Sequence, residues 1–199
     1  MGIRRLSGPA AIVSPSDLSG ELHGDAAAAS VIAAVQASID GPTGWLGRSL
    51  GLQELELTTD GFCRTLRLPY EPVTKIVSVS YRDRDGIEQS VDAAHWRLAM
   101  GNRCVFGTGF SFPATERAPD AVTVVYEAGY ADSAVPASAK QAVIIGVQHL
   151  KALTEQSVFV RSEEVDGIGT ETFAVSEAGA NVVKAATDAL LMPLRVYSL

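Results

Sequence analysis

Ile76-Val77-Ser78-Val79-Ser80-Tyr81, a run that stops at the turn residues Asp85-Gly86, is the stretch that decides the fold. β-Branched and aromatic residues alternate there with serine, the pattern of a strand with one buried face. Asp-Gly suits a tight hairpin turn because both residues tolerate the positive φ that such turns require. Outward from this hairpin the same chemistry recurs. Leu55 and Leu57, then Leu66 and Leu68, alternate with polar neighbours, and Trp96-Arg97-Leu98, Cys104-Val105-Phe106 and Val122-Thr123-Val124-Val125-Tyr126 read as further short strands. Turn signals at this spacing predict an antiparallel sheet between about Leu52 and Tyr126, not βαβ units.

Helical signals flank the sheet. Ser14 is a good N-cap with Pro15 at the first helical position and Asp17 in the first turn, so a short helix is expected to about His23. Gly24 can end it and Asp25 can cap the next, in which Ala28, Val31, Ile32, Val35 and Ile39 form one apolar stripe. Gly41-Pro42 breaks that helix ahead of Trp45-Leu46. Beyond the sheet, Pro136 opens a helix whose face carries Ala139, Val143, Gly146, Val147, Leu150 and Leu153. A polar stretch from Thr154 to Gly169 and a short strand in Thr170 to Val175 follow. Val182, Ala186, Ala189 and Leu190 then mark a last helix that Pro193 ends. The expected class is α+β: N-terminal and C-terminal helices packed together, with a small antiparallel sheet inserted. Residues 1–193 read as one domain and 194–199 as a C-terminal tail.

The 199 residues are 47% hydrophobic and 20% charged, which excludes global disorder and supports one sizeable core. Sixteen Lys and Arg against 23 Asp and Glu leave a net charge of −7. That argues against a groove gripping nucleic acid, since along the sequence no basic cluster exceeds Arg4-Arg5. A surface past which DNA slides without sticking is compatible with it, because like charge repels. Met1-Gly2-Ile3-Arg4-Arg5 resembles a signal n-region, but only Ala10 to Val13 follows before Ser14-Pro15, too short for an h-region. No run reaches the length of a membrane span. Cys63 and Cys104 could pair, but one optional bridge is no disulfide framework. The chain reads as cytosolic where it is made.

Gly47-Arg48-Ser49-Leu50-Gly51 matches G-x-S-x-G, in which a strand runs into a strained turn and a helix leaves it, lifting the serine hydroxyl clear. Here the order is reversed, helix before and strand after. His95 or His149 with Asp92 or Asp132 are the partners a serine hydrolase would need. The context instead assigns Ser49 to a glycine-flanked helix exit. His23, His95 and His149 lie far apart, and neither cysteine has a second ligand at zinc spacing, so no metal or other cofactor is expected. Asp83-Arg84-Asp85-Gly86 lacks the acidic residues that would close a calcium loop and fits a hairpin turn better. Gly107-Thr108-Gly109 and Gly167-Ile168-Gly169 lack the third glycine of a phosphate-binding loop.

The segment Asp40-Gly41-Pro42-Thr43-Gly44-Trp45-Leu46-Gly47-Arg48-Ser49-Leu50, with Gln53 after it, resembles the helix-to-sheet junction of tailed-phage head–tail connector (adaptor) proteins. These dock beneath the portal of a phage or of a phage-derived gene transfer agent. The resemblance continues in order through Leu68-Pro69-Tyr70-Glu71-Pro72-Val73, Ile76 to Tyr81, Asp83 to Gly86, Val122 to Tyr126 and Ala128-Gly129-Tyr130. It extends to Val135-Pro136-Ala137 and to Leu190-Leu191-Met192-Pro193-Leu194-Arg195. Two departures stand out. The first helix is short and carries Gly20 and Gly24, and Thr154 to Glu177 is long and acidic.

The resemblance implies a structural virion protein at the head–tail junction, without enzymatic activity. It would form a dodecameric ring between portal and a tail-side stopper or neck protein, and extend a DNA channel that makes no sequence-specific contact. It also implies that the tail residues Pro193, Leu194, Arg195, Val196, Tyr197 and Leu199 contact the portal. Glu163, Glu164, Asp166 and Glu171 are candidates for lining the channel, where carboxylates would repel passing phosphate.

Overall fold

The computed structural model describes residues 1–155, 163–165, 169–171 and 177–197. Helices and antiparallel sheets occur in the mixture the sequence predicts. Among these residues the chain forms two compact units. One takes Met1–Ile12, Ala37–Val135 and the tail from Val196, the other Val13–Gln36 and the segments after Pro136.

The first unit holds β1 (Gly2–Arg5), β2 (Gln53–Thr59), β3 (Thr65–Arg67), β4 (Val73–Arg82), β5 (Glu88–Ser90), β6 (Trp96–Ala99), β7 (Arg103–Phe106) and β8 (Val122–Ala128). A five-stranded sheet runs β1-β2-β8-β4-β5 and a three-stranded one β3-β7-β6, every pairing antiparallel. Their apolar residues share one core that includes Leu55, Leu57, Leu66, Val79, Cys104, Phe106, Val124 and Tyr126. β2 and β8 alternate strictly between buried and half-buried positions. β4 does not: two register irregularities, at Val73/Lys75 and Ile76/Ser78, bring Val73, Ile76 and Val79 inward at intervals of three and leave Val77 45% exposed. Asp83 orders the hairpin turn by accepting from the amides of Asp85 and Ile87, both at 3.0 Å. A hydrogen bond from Gln89 and these amide contacts hold the Asp83 carboxyl below its ordinary range.

The N-terminus adds a strand and corrects one expectation. The first residues form strand β1, with Ile3 opposite Leu57. The Arg4-Arg5 pair divides across that strand: Arg4 meets Glu56 at 3.0 Å, while Arg5 donates to the Asp40 carbonyl at 3.0 Å. The expected helix from Ser14 to His23 is two separate 3-10 turns, Pro15–Asp17 and Gly20–Leu22. Gly20, at φ +68, breaks the α-helical run. The Ser14 cap itself is present, its amide donating to Asp17 at 2.8 Å, and that bond helps hold the Asp17 carboxyl below its ordinary range.

The second unit contains α1 (Ala28–Ile39) up to Gln36, α2 (Ala137–Glu155), the hairpin β9 (Glu163–Val165) with β10 (Gly169–Glu171), and α3 (Glu177–Leu191). Ala28 and Ile32 on α1 and Ala139, Ala142, Val143 and Val147 on α2 are buried. The two helices approach at a glycine: a Cβ on Gly146 would press on Val35 Cγ1 at 2.8 Å. N-terminal and C-terminal helices therefore pack as expected, and α3 packs on α2. No helix among the described residues is long and apolar enough to cross a membrane.

Candidate functional site: the helix-to-sheet junction and the tail

Between α1 and β2 the chain must reverse and feed the middle of a sheet, which brings backbone donors into a dry environment. Asp40 resolves this. Its fully buried carboxylate accepts from the amides of Leu50 (2.7 Å) and Gly51 (2.9 Å) and from Gln53 Nε2 (2.8 Å). Buried donors left unpaired would each be costly, so this one side chain organises the whole loop. The amide of Gly41 donates to the Arg48 carbonyl at 2.9 Å and closes its base. Leu46 and Leu50 are fully buried beneath it.

Arg48 points the other way. Its guanidinium donates to the Tyr130 hydroxyl at 2.7 Å and to Glu71 at 3.3 Å, and Glu71 also accepts from Asn102 Nδ2 at 2.7 Å. These links join three separate motifs of the connector resemblance, at Arg48, Glu71 and Tyr130.

The tail is anchored on this junction. The Val196 amide donates to the Leu46 carbonyl at 2.9 Å, and the Val196 carbonyl lies over Gly47, whose φ is +71. Val196 is half-buried and Tyr197 is 62% exposed. Pro193 and Arg195 are exposed and Leu194 half-buried. Leu199 lies outside the described residues, as does Asp166. Glu163, Glu164 and Glu171 are on β9 and β10, with Glu163 opposite Glu171.

Nothing around Ser49 supports nucleophilic chemistry. The residue is fully buried and its Oγ has no hydrogen-bond partner among the described residues, so no base among them reaches it. Two of the partners a hydrolase would need, His95 and Asp92, have other contacts. His95 lies against the Phe110 ring at 5.0 Å, Asp92 caps a turn through the Ala94 amide at 2.8 Å, His149 is on α2, and Asp132 begins a 3-10 turn. An open depression of about 480 Å³ beside β1 and β2 contains paired charges, Arg4 with Glu56 and Arg82 with Asp120. Its remaining lining is Gly2, Ile3, Thr58 and Thr123. No group of His, Cys, Asp and Glu among the described residues could hold a metal ion. Cys104 is buried, which pushes its thiol up to about 12, and Cys63 is exposed; both are free.

Asp40 stands in the series that carries the resemblance, but the sequence alone assigns it no task. Its position directly before Gly41-Pro42 is the available signal, since Asp favours turn starts whose amides need an acceptor.

No protein-family model and no curated protein matches the chain. Solved structures do match, over its full length. One chain in the virion of a native gene transfer agent particle superposes with a TM-score of 0.62 at 21% identity, covering 100% of this chain and 97% of that one. Chains in the neck of the native particle, computed with C12 symmetry, and in the neck of the empty particle, computed with C6 symmetry, give TM-scores of 0.64 and 0.63 at 20% and 19% identity. Each neck chain is covered to 97% and this chain to 100%. At these identities the shared property is the fold.

Proposed function

We propose that this chain is a structural neck protein of a phage-like particle, a head–tail connector with no catalytic role. The observation that carries the reading is the end-to-end likeness of fold to chains of gene transfer agent necks, 100% of this chain against 97% of those. The ordered series of motifs at the junction, sheet and C-terminus supports it independently of the fold. The serine hydrolase alternative draws no support, because Ser49 is sealed in the core.

In this reading residues 1–193 serve as one connector body and 194–199 as its attachment tail. Copies close into a dodecameric ring, since a head-to-tail interface that closes repeats the same pair of patches around an axis. The ring sits between portal and a tail-side stopper or neck protein, at the head–tail junction, and is assembled from chains made in the host cytoplasm. Pro193, Leu194, Arg195, Val196, Tyr197 and Leu199 dock on the portal, with Val196 tethering the segment so that Tyr197 is presented outward. Glu163, Glu164, Asp166 and Glu171 face the DNA path and keep phosphate from sticking.

The test is to band particles from the producing organism on a density gradient and quantify their proteins by mass spectrometry. A copy number equal to that of the portal is expected. Absence from intact particles that contain portal would overturn the reading.

A further inference from the structure

Residues 61–70 and 93–115, which carry strands β3, β6 and β7, hold Arg64, Arg67, Arg97 and Arg103 and none of the chain's 23 Asp and Glu. In register, Arg67 on β3 stands directly opposite Arg103 on β7, and Arg97 on β6 opposite Val105 on β7. These four residues alternate along their strands with Leu66, Leu98 and Cys104, which turn to the core, so they occupy the outer face of the sheet. The three arginines are exposed and Val105 is half-buried among them. Among the described residues none of the three guanidiniums makes an ion pair or a hydrogen bond, whereas Arg4, Arg48, Lys75 and Arg82 all have carboxylate partners. Like charges directly opposite on neighbouring strands are destabilising, and an external anion would relieve that repulsion.

The outer face of the five-stranded sheet carries the converse arrangement. Glu54 on β2 stands directly opposite Glu127 on β8, and Glu56 opposite Val125, all four half-buried on the side turned away from the core. Lys75 holds Glu127 at 2.8 Å and Arg4 holds Glu56 at 3.0 Å, each through one carboxylate oxygen, while the Glu54 side chain has no partner among the described residues. The inner faces of the two sheets share one core, so the arginine face and the glutamate face look outward on its two sides. In a dodecamer each copy is turned only about 30° from the next, so the two patches that meet must lie on nearly opposite sides of every subunit. We infer that the arginine face of one copy docks on the glutamate face of the next, with Val105 and Val125 inside a charged rim. Glu54 gains a partner there, and the second oxygens of Glu56 and Glu127 accept from the remaining guanidiniums. Duplex DNA is the weaker occupant of the arginine face, because three cations on a chain of net charge −7 neutralise few phosphates against a repulsive surrounding field. The inference rests on the ring reading above.

The experiment uses particles made with the full-length chain. Arg103→Lys keeps the charge and adds an amine, so a zero-length carbodiimide can join it only to a carboxylate in direct contact. Particles are assembled from a mixture of isotopically light and heavy chains, so that links between copies are separated from links within one. The expected product joins the introduced amine at position 103 of one copy to Glu54, Glu56 or Glu127 of another. In parallel, Arg67→Glu with Arg103→Glu should lower incorporation at least tenfold, and adding Glu54→Lys with Glu127→Lys in the same chain should restore it. Circular dichroism of the purified variants monitors folding, and the cross-link decides alone if a reversal variant does not fold. A link to any other carboxylate, a link to another virion protein, or no link in particles that contain the chain would overturn the docking while leaving the neck assignment standing. Unchanged incorporation of the first reversal with loss of packaged DNA would give the arginine face to DNA and overturn the docking as well. Absence of the unmodified chain from particles would instead overturn the neck assignment, and the docking with it.

Discussion

The backbone amide of Val196 donates to the carbonyl oxygen of Leu46 at 2.9 Å, which fastens the end of the chain to the loop that feeds β2. This contact crosses 150 residues of sequence and places the tail over Gly47, where only a glycine leaves room for it. Junction and tail are therefore one structural feature, and variants in either should report on the other.

Gly47→Ala should release the tail. The φ of +71 is strained for alanine, and the new Cβ would overlap the Val196 carbonyl oxygen. Stability should fall by about 1–2 kcal/mol, the range of backbone strain at such a position. Hydrogen exchange at the Val196 amide should accelerate markedly. Gly8→Ala, where an added Cβ meets nothing within 4 Å, is the control and should change neither.

Deleting residues 194–199 should leave a folded chain, because among the described residues no buried core side chain lies in the tail. If the tail docks on the portal, co-sedimentation of the truncated chain with purified portal should be lost. Undiminished binding would move the portal contact elsewhere.

Asp40→Ala should be among the most damaging single substitutions in the first unit. It strands the amides of Leu50 and Gly51 and the side-chain amide of Gln53 in a dry site. A loss of roughly 3 kcal/mol in urea unfolding is expected, from several unpaired buried donors at once. Asp40→Asn retains the size but presents a donor to donors, and should recover only part of it.

Ser49→Ala should be neutral or slightly stabilising. The buried Oγ has no hydrogen-bond partner among the described residues, so its removal relieves a desolvated hydroxyl and opens little space. A fluorophosphonate probe should leave Ser49 unlabelled in the folded chain. Stoichiometric labelling would reopen the hydrolase reading.

Acid should loosen the β4–β5 turn before it unfolds the sheet. The Asp83 carboxyl is held below its ordinary value of 3.8 by hydrogen bonds from Gln89, Ile87 and Asp85. A carboxyl depressed in the folded state stabilises fully above that ordinary value, and its contribution disappears as pH falls through the lower folded one. Exchange of the Ile87 amide should therefore rise as pH drops below about 4, beyond the intrinsic pH trend. Asp83→Asn should remove that rise; its persistence in the variant would exclude Asp83 as the cause.

Much of the fold is legible in the sequence because its signals are local. The strands around Leu55, Leu66, Trp96, Cys104 and Val122, the Asp85-Gly86 turn, the break at Gly41-Pro42 and the helix start at Pro136 each depend on sterics or periodicity within a few residues. Two N-terminal segments escape such a reading for the complementary reason. Gly2–Arg5 is too short to show a period and becomes a strand only because Leu55 and Leu57 lie beside it. Pro15 to Leu22 has good caps but too few α-helical residues between them to continue past Gly20.

The sequence by itself determined the α+β class, the antiparallel middle and the order of its motifs, since alternation, caps and turn residues act over one or two turns of chain. Only the tertiary structure decided that Asp40 is buried under three donors, that the tail rests on Gly47, and that Arg67, Arg97 and Arg103 share one face. Each depends on the register between segments far apart in sequence. Register follows from the packing of the whole sheet and leaves no mark on any single stretch.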